Sequence, residues 1–152
     1  MHVLKTVQIL PINIEEAWDF FSSPKNLNDI TPKHMRFEII NEMTDKMYPG
    51  MIISYKLSPL RGYRVKWTTE ITHVREYEYF VDTQLSGPYK IWHHEHHFKK
   101  AQKGVEMTDI LHYELPFGAL GSLVNSVFIR KKVESIFSYR REVLERRFPK
   151  HN

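Results

Sequence analysis

Apolar positions between Ala119 and Phe148 recur every three or four residues: Leu120, Val124, Val127, Phe128, Ile136, Phe137, Val143, Leu144 and Phe148. That spacing predicts one helix carrying these side chains along a single side. Lys131, Lys132, Glu134, Arg141, Glu142, Glu145 and Arg146 fall mostly on the other side. At 1.5 Å per residue, about 28 residues make a rod of roughly 40 Å, which needs a broad apolar surface to lie against. Almost everything upstream reads as strands, so that surface should be a sheet.

From the start of the chain, Met1 to Leu10 alternates loosely, with Val3, Val7 and Ile9 on one face of a strand that Pro11 closes. Asn13 stands three residues before Glu16, a variant of the capping box that opens a helix. Ile14, Ala17, Trp18 and Phe21 form its apolar side. Ser23-Pro24 predicts a second short helix, running to about Ile30 and ending before Thr31-Pro32. The outline is helix–turn–helix, but neither helix has a basic face for a DNA groove, so packing is their expected role. Six strands follow: Met35–Asn41, Met51–Ser58, Val65–Val74, Tyr79–Leu85, Tyr89–Phe98 and Val105–Leu115. Short connections rich in Gly, Pro, Asp and Lys join them into an antiparallel meander. The first strand is placed to pair with the last.

Alternate loops of a meander lie at the same end. Thr44–Pro49, Arg75–Glu78 and Lys99–Gly104 share one end and are polar or charged. Pro59–Gly62, Ser86–Pro88 and Pro116–Ala119 share the other and are apolar, with Gly and Pro. Apolar loop tips gathered in one place fit an entrance; they equally fit simple packing against the start of the long helix.

Composition narrows the class. With 152 residues, 41% hydrophobic and 13% aromatic, the chain is expected to form one globular domain over 1–152. No cysteine is present, so neither disulfides nor thiolate metal sites are available. The first residues do not read as a leader, and no run approaches about 18 apolar residues. A cytoplasmic protein without a membrane span is therefore expected. The net charge of +4 is modest, and its basic excess gathers at Arg140, Arg141, Arg146, Arg147 and Lys150. There it complements a helix C-terminus and can form i,i+4 pairs such as Arg141–Glu145 and Glu142–Arg146. No phosphate-binding loop or basic-aromatic stripe accompanies it, so nucleic acid is not an expected partner. An interaction module using this basic helix remains the non-ligand alternative.

The string His93-His94-Glu95-His96-His97 carries the candidate chemistry. Alternation in a strand divides it into His93, Glu95, His97 and a second row, His94 and His96, flanked by Trp92 and Phe98. The second row is assigned to the interior. Tight turns bring Phe80, Asp82 and Gln84 to the same face. A pairing that sets His94 near Asp109 adds Met107, Leu111 and Tyr113. The wall so assembled has Asp82, Gln84, His94, His96, Asp109 and Tyr113 among Trp67, Ile71, Phe80, Trp92 and Leu111, with Phe117, Leu120 and Val124 beyond the last strand. These polar groups either satisfy one another, as His94–Asp109 and Asp82–Gln84, or orient a ligand. Acid–base catalysis would use His94 as base with Asp109 fixing its tautomer. Metal binding would use His94 and His96 with Asp82 or Asp109; their spacing matches no established signature, so no metal or other cofactor is expected.

A strand, two short helices, six strands and a long terminal helix resemble the START-like helix-grip, or SRPBCC, superfamily of polyketide cyclases, lipid-transfer domains and pathogenesis-related proteins. The resemblance covers essentially the whole chain. Strings such as Gly87-Pro88-Tyr89-Lys90-Ile91-Trp92, Met107-Thr108-Asp109 and Leu115-Pro116-Phe117-Gly118 are closest in texture to small bacterial members. It implies an α+β helix-grip domain whose seven-stranded curved antiparallel sheet wraps the terminal helix. It also implies an apolar cavity for a small hydrophobic or amphipathic molecule. Some relatives stand beside nucleotide-sugar epimerase-like domains, which makes such a protein an expected partner by context. Fold alone does not fix the activity.

Overall fold

The computed structural model describes residues 1–60, 62–115 and 123–150, without the side chains of Leu60 and residues 123–126. Strand β1 (His2–Leu10) leads to helix α1 (Ile14–Phe21), then to 3₁₀ turns at Pro24–Asn28 and Lys33–Met35. Strands β2 (Glu38–Ile39), β3 (Met51–Leu60), β4 (Tyr63–Arg75), β5 (Tyr79–Ser86), β6 (Ile91–Ala101) and β7 (Gly104–Glu114) precede helix α2 (Leu123–Arg147). The seven strands form one antiparallel sheet in the order β1-β7-β6-β5-β4-β3-β2. The meander and its closing β1–β7 pair are as expected.

Local chemistry explains the boundaries. The Asn13 side chain accepts the Glu16 N–H at 2.7 Å, capping α1. The expected second helix is a single 3₁₀ stretch instead, and Ser23 makes no side-chain cap there. The expected strand Met35–Asn41 shrinks to two residues. Arg36 adopts φ +49°, which breaks extension, and the Asn41 side chain takes over the ladder by binding Ser54 N–H and Ile52 O. Gly104 has φ +126°, and a Cβ there would run into the Leu10 carbonyl, so glycine lets the β6–β7 turn lie against the end of β1.

Register irregularities between β4 and β5, at Thr68/Thr69 and Ile71/His73, bend the sheet toward its inner face. Leu10, Trp18, Phe21, Phe80, Phe98 and Leu144 belong to the main core between sheet and helices. The row Val3, Val7, Ile9 stands on the outer face, at 60%, 44% and 43% exposure, while Leu4 and Leu10 pack inward.

The contact face of α2 is Ile129, Val133, Ile136, Phe137, Arg140 and Leu144. Val127 and Phe128, expected on that face, are about half exposed. Phe128 precedes Phe137 by nine residues, which at about 100° each places it half a turn away. Among the described residues neither expected pair, Arg141–Glu145 or Glu142–Arg146, forms, and the helical i,i+4 pair is Arg130–Glu134.

Candidate functional site

Three adjacent strands build the site. On the inner face Asp82 of β5 faces His94 of β6, and His96 of β6 faces Asp109 of β7. The expected nearness of His94 and Asp109 holds, although the strand partner of Asp109 is His96, two residues along on the same face. Sheet twist then makes the bonds run diagonally. His94 Nε2 lies 3.0 Å from Asp109 Oδ1, and His96 Nε2 lies 2.8 Å from Asp82 Oδ2. The other ring nitrogens point the opposite way: His94 Nδ1 is 3.6 Å from Asp82 Oδ2 and His96 Nδ1 is 2.9 Å from Asp109 Oδ1. The last approach is close but misaligned, so His96 Nδ1 has no directed hydrogen bond. The two imidazole rings sit 3.8 Å apart between centroids.

Helix α2 supplies a fifth group. Arg140 reaches in between Phe137 and Leu144, its guanidinium over the Phe21 ring and its Nη1 3.6 Å from Asp109 Oδ1. The charge pattern groups Arg140 with the basic excess at the helix C-terminus. Its spacing of three and four from Phe137 and Leu144 was the signal that it faces the sheet.

Charge is balanced within the cluster. Burial opposes ionisation of Asp109, but Arg140 and the two histidines outweigh it and hold its carboxyl well below the usual range. Asp82 is likewise lowered, burial being overcome by His96, His94 and Arg140. Burial and the neighbouring His96 push His94 down toward the neutral form. For His96 burial also opposes the charge, yet Asp109 and Asp82 prevail and raise it. Both carboxylates are thus favoured as anions beside Arg140, His96 is pushed toward its charged form and His94 toward its neutral one.

Asp82, His94, His96 and Arg140 of this cluster border a cavity of about 150 Å³ between the sheet and α2. Trp67, Phe80, Asp82, Trp92, His94 and His96 line it as expected. Tyr55, Thr69, Ile136 and Arg140 line it too and were not foreseen. Leu111 and Tyr113 instead pack in a separate cluster with Val133 and Phe137. Asp109 stands behind the histidines, outside the lining. Gln84 does not satisfy Asp82; its amide bonds the Tyr89 backbone at 2.7 Å. Phe117 and Leu120 lie outside the described residues, as does the side chain of Val124, so the apolar loop end is described only in part. Among the described residues, Trp67 Nε1 and Arg140 Nε are buried donors without an acceptor. His93, Glu95 and His97 stand on the outer face, with His97 Nε2 2.8 Å from Glu95.

A curved antiparallel meander closed on its first strand and gripping a terminal helix is also what solved structures share with this chain. The major latex-like protein 151 of Panax ginseng superposes with a TM-score of 0.70 at 12% identity, over 98% of each chain. The protein has the helix-grip fold. A Mycobacterium smegmatis protein has the same fold, with a TM-score of 0.64 at 15% identity over 93% of this chain and 90% of that one. A nucleoside-diphosphate sugar epimerase from Corynebacterium glutamicum contains a helix-grip segment: TM-score 0.66 and 20% identity, over 93% of this chain but 28% of the epimerase. No family model matches the sequence, and no curated protein matches it. Among the described residues, no helix is long and apolar enough to cross a membrane.

Proposed function

We propose that this helix-grip domain binds a small amphipathic molecule, its apolar body between sheet and α2 and its polar end at the Asp82–His94–His96–Arg140 cluster. The observation that carries the reading is the cavity itself: a mostly apolar hollow into whose lining Asp82, His94, His96 and Arg140 converge. A few convergent polar groups in an apolar hollow are how binding sites orient a ligand. About 150 Å³ is roughly the space of one substituted benzene ring, which makes a single-ring molecule the fitting probe. The resemblance to the START-like group supports a ligand-binding role. The likeness to part of an epimerase supports a protein of that type as a candidate partner.

Trp67 and Trp92 line the cavity and provide the readout. p-Cresol, one ring with one hydroxyl, should quench tryptophan emission saturably with one site per chain by calorimetry. Ile136→Phe, which fills the hollow from α2, should weaken that binding at least tenfold with an unchanged circular dichroism spectrum. Absence of saturable binding by the folded protein, or indifference to Ile136→Phe, would overturn the proposal.

One observation favours a catalytic extension. His94 is held neutral, its Nε2 is engaged by Asp109, and the residue lines the cavity, which is the arrangement of a positioned base. In the metal-free protein its Nδ1 would take a proton from the carbon beside a bound carbonyl and return a solvent deuteron. Phenylacetone in heavy water should then lose its α-protons faster with the protein, by NMR. His94→Gln should remove about 10²–10⁴-fold of that acceleration. Exchange no faster than in buffer would confine the site to binding.

A further inference from the structure

The inner histidine row satisfies the geometry of a metal centre as well as that of a ligand pocket. Asp82, His94 and His96 each offer one donor atom, and all these atoms lie within 4.8 Å of one another. Asp82 Oδ2 is 2.8 Å from His96 Nε2 and 3.6 Å from His94 Nδ1. Ligands bound tetrahedrally at about 2.0–2.1 Å stand roughly 3.3 Å apart, so these separations bracket the required value. Behind them Asp109 Oδ1 lies 3.0 Å from His94 Nε2 and 2.9 Å from His96 Nδ1, the two nitrogens left over if Nδ1 of His94 and Nε2 of His96 bind the ion. A carboxylate behind metal-bound histidines is the arrangement that fixes their tautomer and orientation. Here the carboxylate accepts from His94, lies against His96 Nδ1 without a directed bond, and is anchored by Arg140.

We propose that Asp82, His94 and His96 form a binding site for a divalent first-row transition metal, with Asp109 as its positioning residue. Two imidazoles and one carboxylate, without thiolate, suit Zn²⁺, Co²⁺, Ni²⁺ or Fe²⁺; Ca²⁺ and Mg²⁺ call for all-oxygen sets. All three ligands line the cavity, so the remaining coordination positions open onto the hollow that takes the organic molecule. Two carboxylates, Asp82 and Asp109, stand against the two imidazoles and favour a cation between them. The reading does not depend on any organic ligand, and its test uses none.

The outer-face residues His93, Glu95 and His97 are also placed to collect metal, so they must be removed first. In the full chain carrying His93→Gln, Glu95→Gln and His97→Gln, stripped with chelator and dialysed, Zn²⁺ titrated by calorimetry should bind at one site per chain. Co²⁺ should give visible absorption bands of four- or five-coordinate intensity, displaced by Zn²⁺. Adding His96→Gln should abolish both signals, and adding Asp109→Asn should weaken Zn²⁺ binding by about 10–100-fold without abolishing it. Should His96→Gln fail to fold, the cobalt spectrum of the surface-cleared protein decides alone. Only the weak bands of six-coordinate aqueous Co²⁺, no Zn²⁺ site in the surface-cleared chain, or binding unaffected by a folded His96→Gln variant would each overturn the proposal.

Discussion

Asp109 accepts from His94, lies against His96 and meets Arg140, so neutralising it removes the anion around which three donors gather. Asp109→Asn keeps the shape and should still cost about 3–5 kcal/mol in denaturant titration, the usual result of stripping one partner from a buried pair. The pH dependence of the metal-free protein follows from the same residue. Its folded pKa is depressed below 3.8, so its contribution is complete above that value and is lost as pH falls through the folded value. Asp82 acts in the same direction. Stability should therefore drop below about pH 4, and Asp109→Asn should flatten that acid limb of the Tm-against-pH curve. A limb unchanged by the substitution would assign acid unfolding elsewhere. Much of this cluster was legible in the sequence, because period-two alternation separates His94 and His96 from His93, Glu95 and His97 without reference to any partner strand. Register was not legible: a two-residue slip leaves every side chain on its face, so pattern alone could not say that His96, not His94, faces Asp109. Arg140 escaped because its chemistry suggests solvent while its helical phase points inward.

At the scale of elements, α2 is held by the stripe it turns to the sheet. Phe137 is buried against Val133 and Leu111 and meets the His94 ring edge-on at 5.4 Å. Phe137→Ala should cost about 3–5 kcal/mol by denaturant titration. Phe128→Ala, on the opposite side, should stay within about 0.5 kcal/mol, as exposed substitutions do. Equal effects of the two would mean that the helix is rotated from this arrangement. Long elements were readable from the chain since their periods run over many residues. The segment between α1 and β3 was not. There a left-handed Arg36 and the side chain of Asn41 decide the path, and such single-residue geometry leaves no periodic trace.

At the scale of the whole molecule, sheet and α2 enclose a cavity small enough to select by size. Single-ring phenols should compete for it, while a fatty acid of about sixteen carbons should fail to displace p-cresol from the folded protein. Displacement by the fatty acid would show that the hollow widens on binding. The β1–β7 pair has a further consequence, for how the protein is made. His2 pairs with Tyr113 and Leu10 with Val105, so the first strand to be synthesised waits for the last before its ladder can form. During that wait Val3, Val7 and Ile9 lie on an unpaired edge, the kind of segment that recruits chaperones on the ribosome. Joining ends so distant in sequence also carries a large loop-closure cost, which places spontaneous refolding in the millisecond-to-second range typical of non-local sheets. A nascent chain arrested before β7 emerges should therefore stay sensitive to protease throughout β1, acquiring protection only when synthesis has passed Glu114 and cleared the exit tunnel.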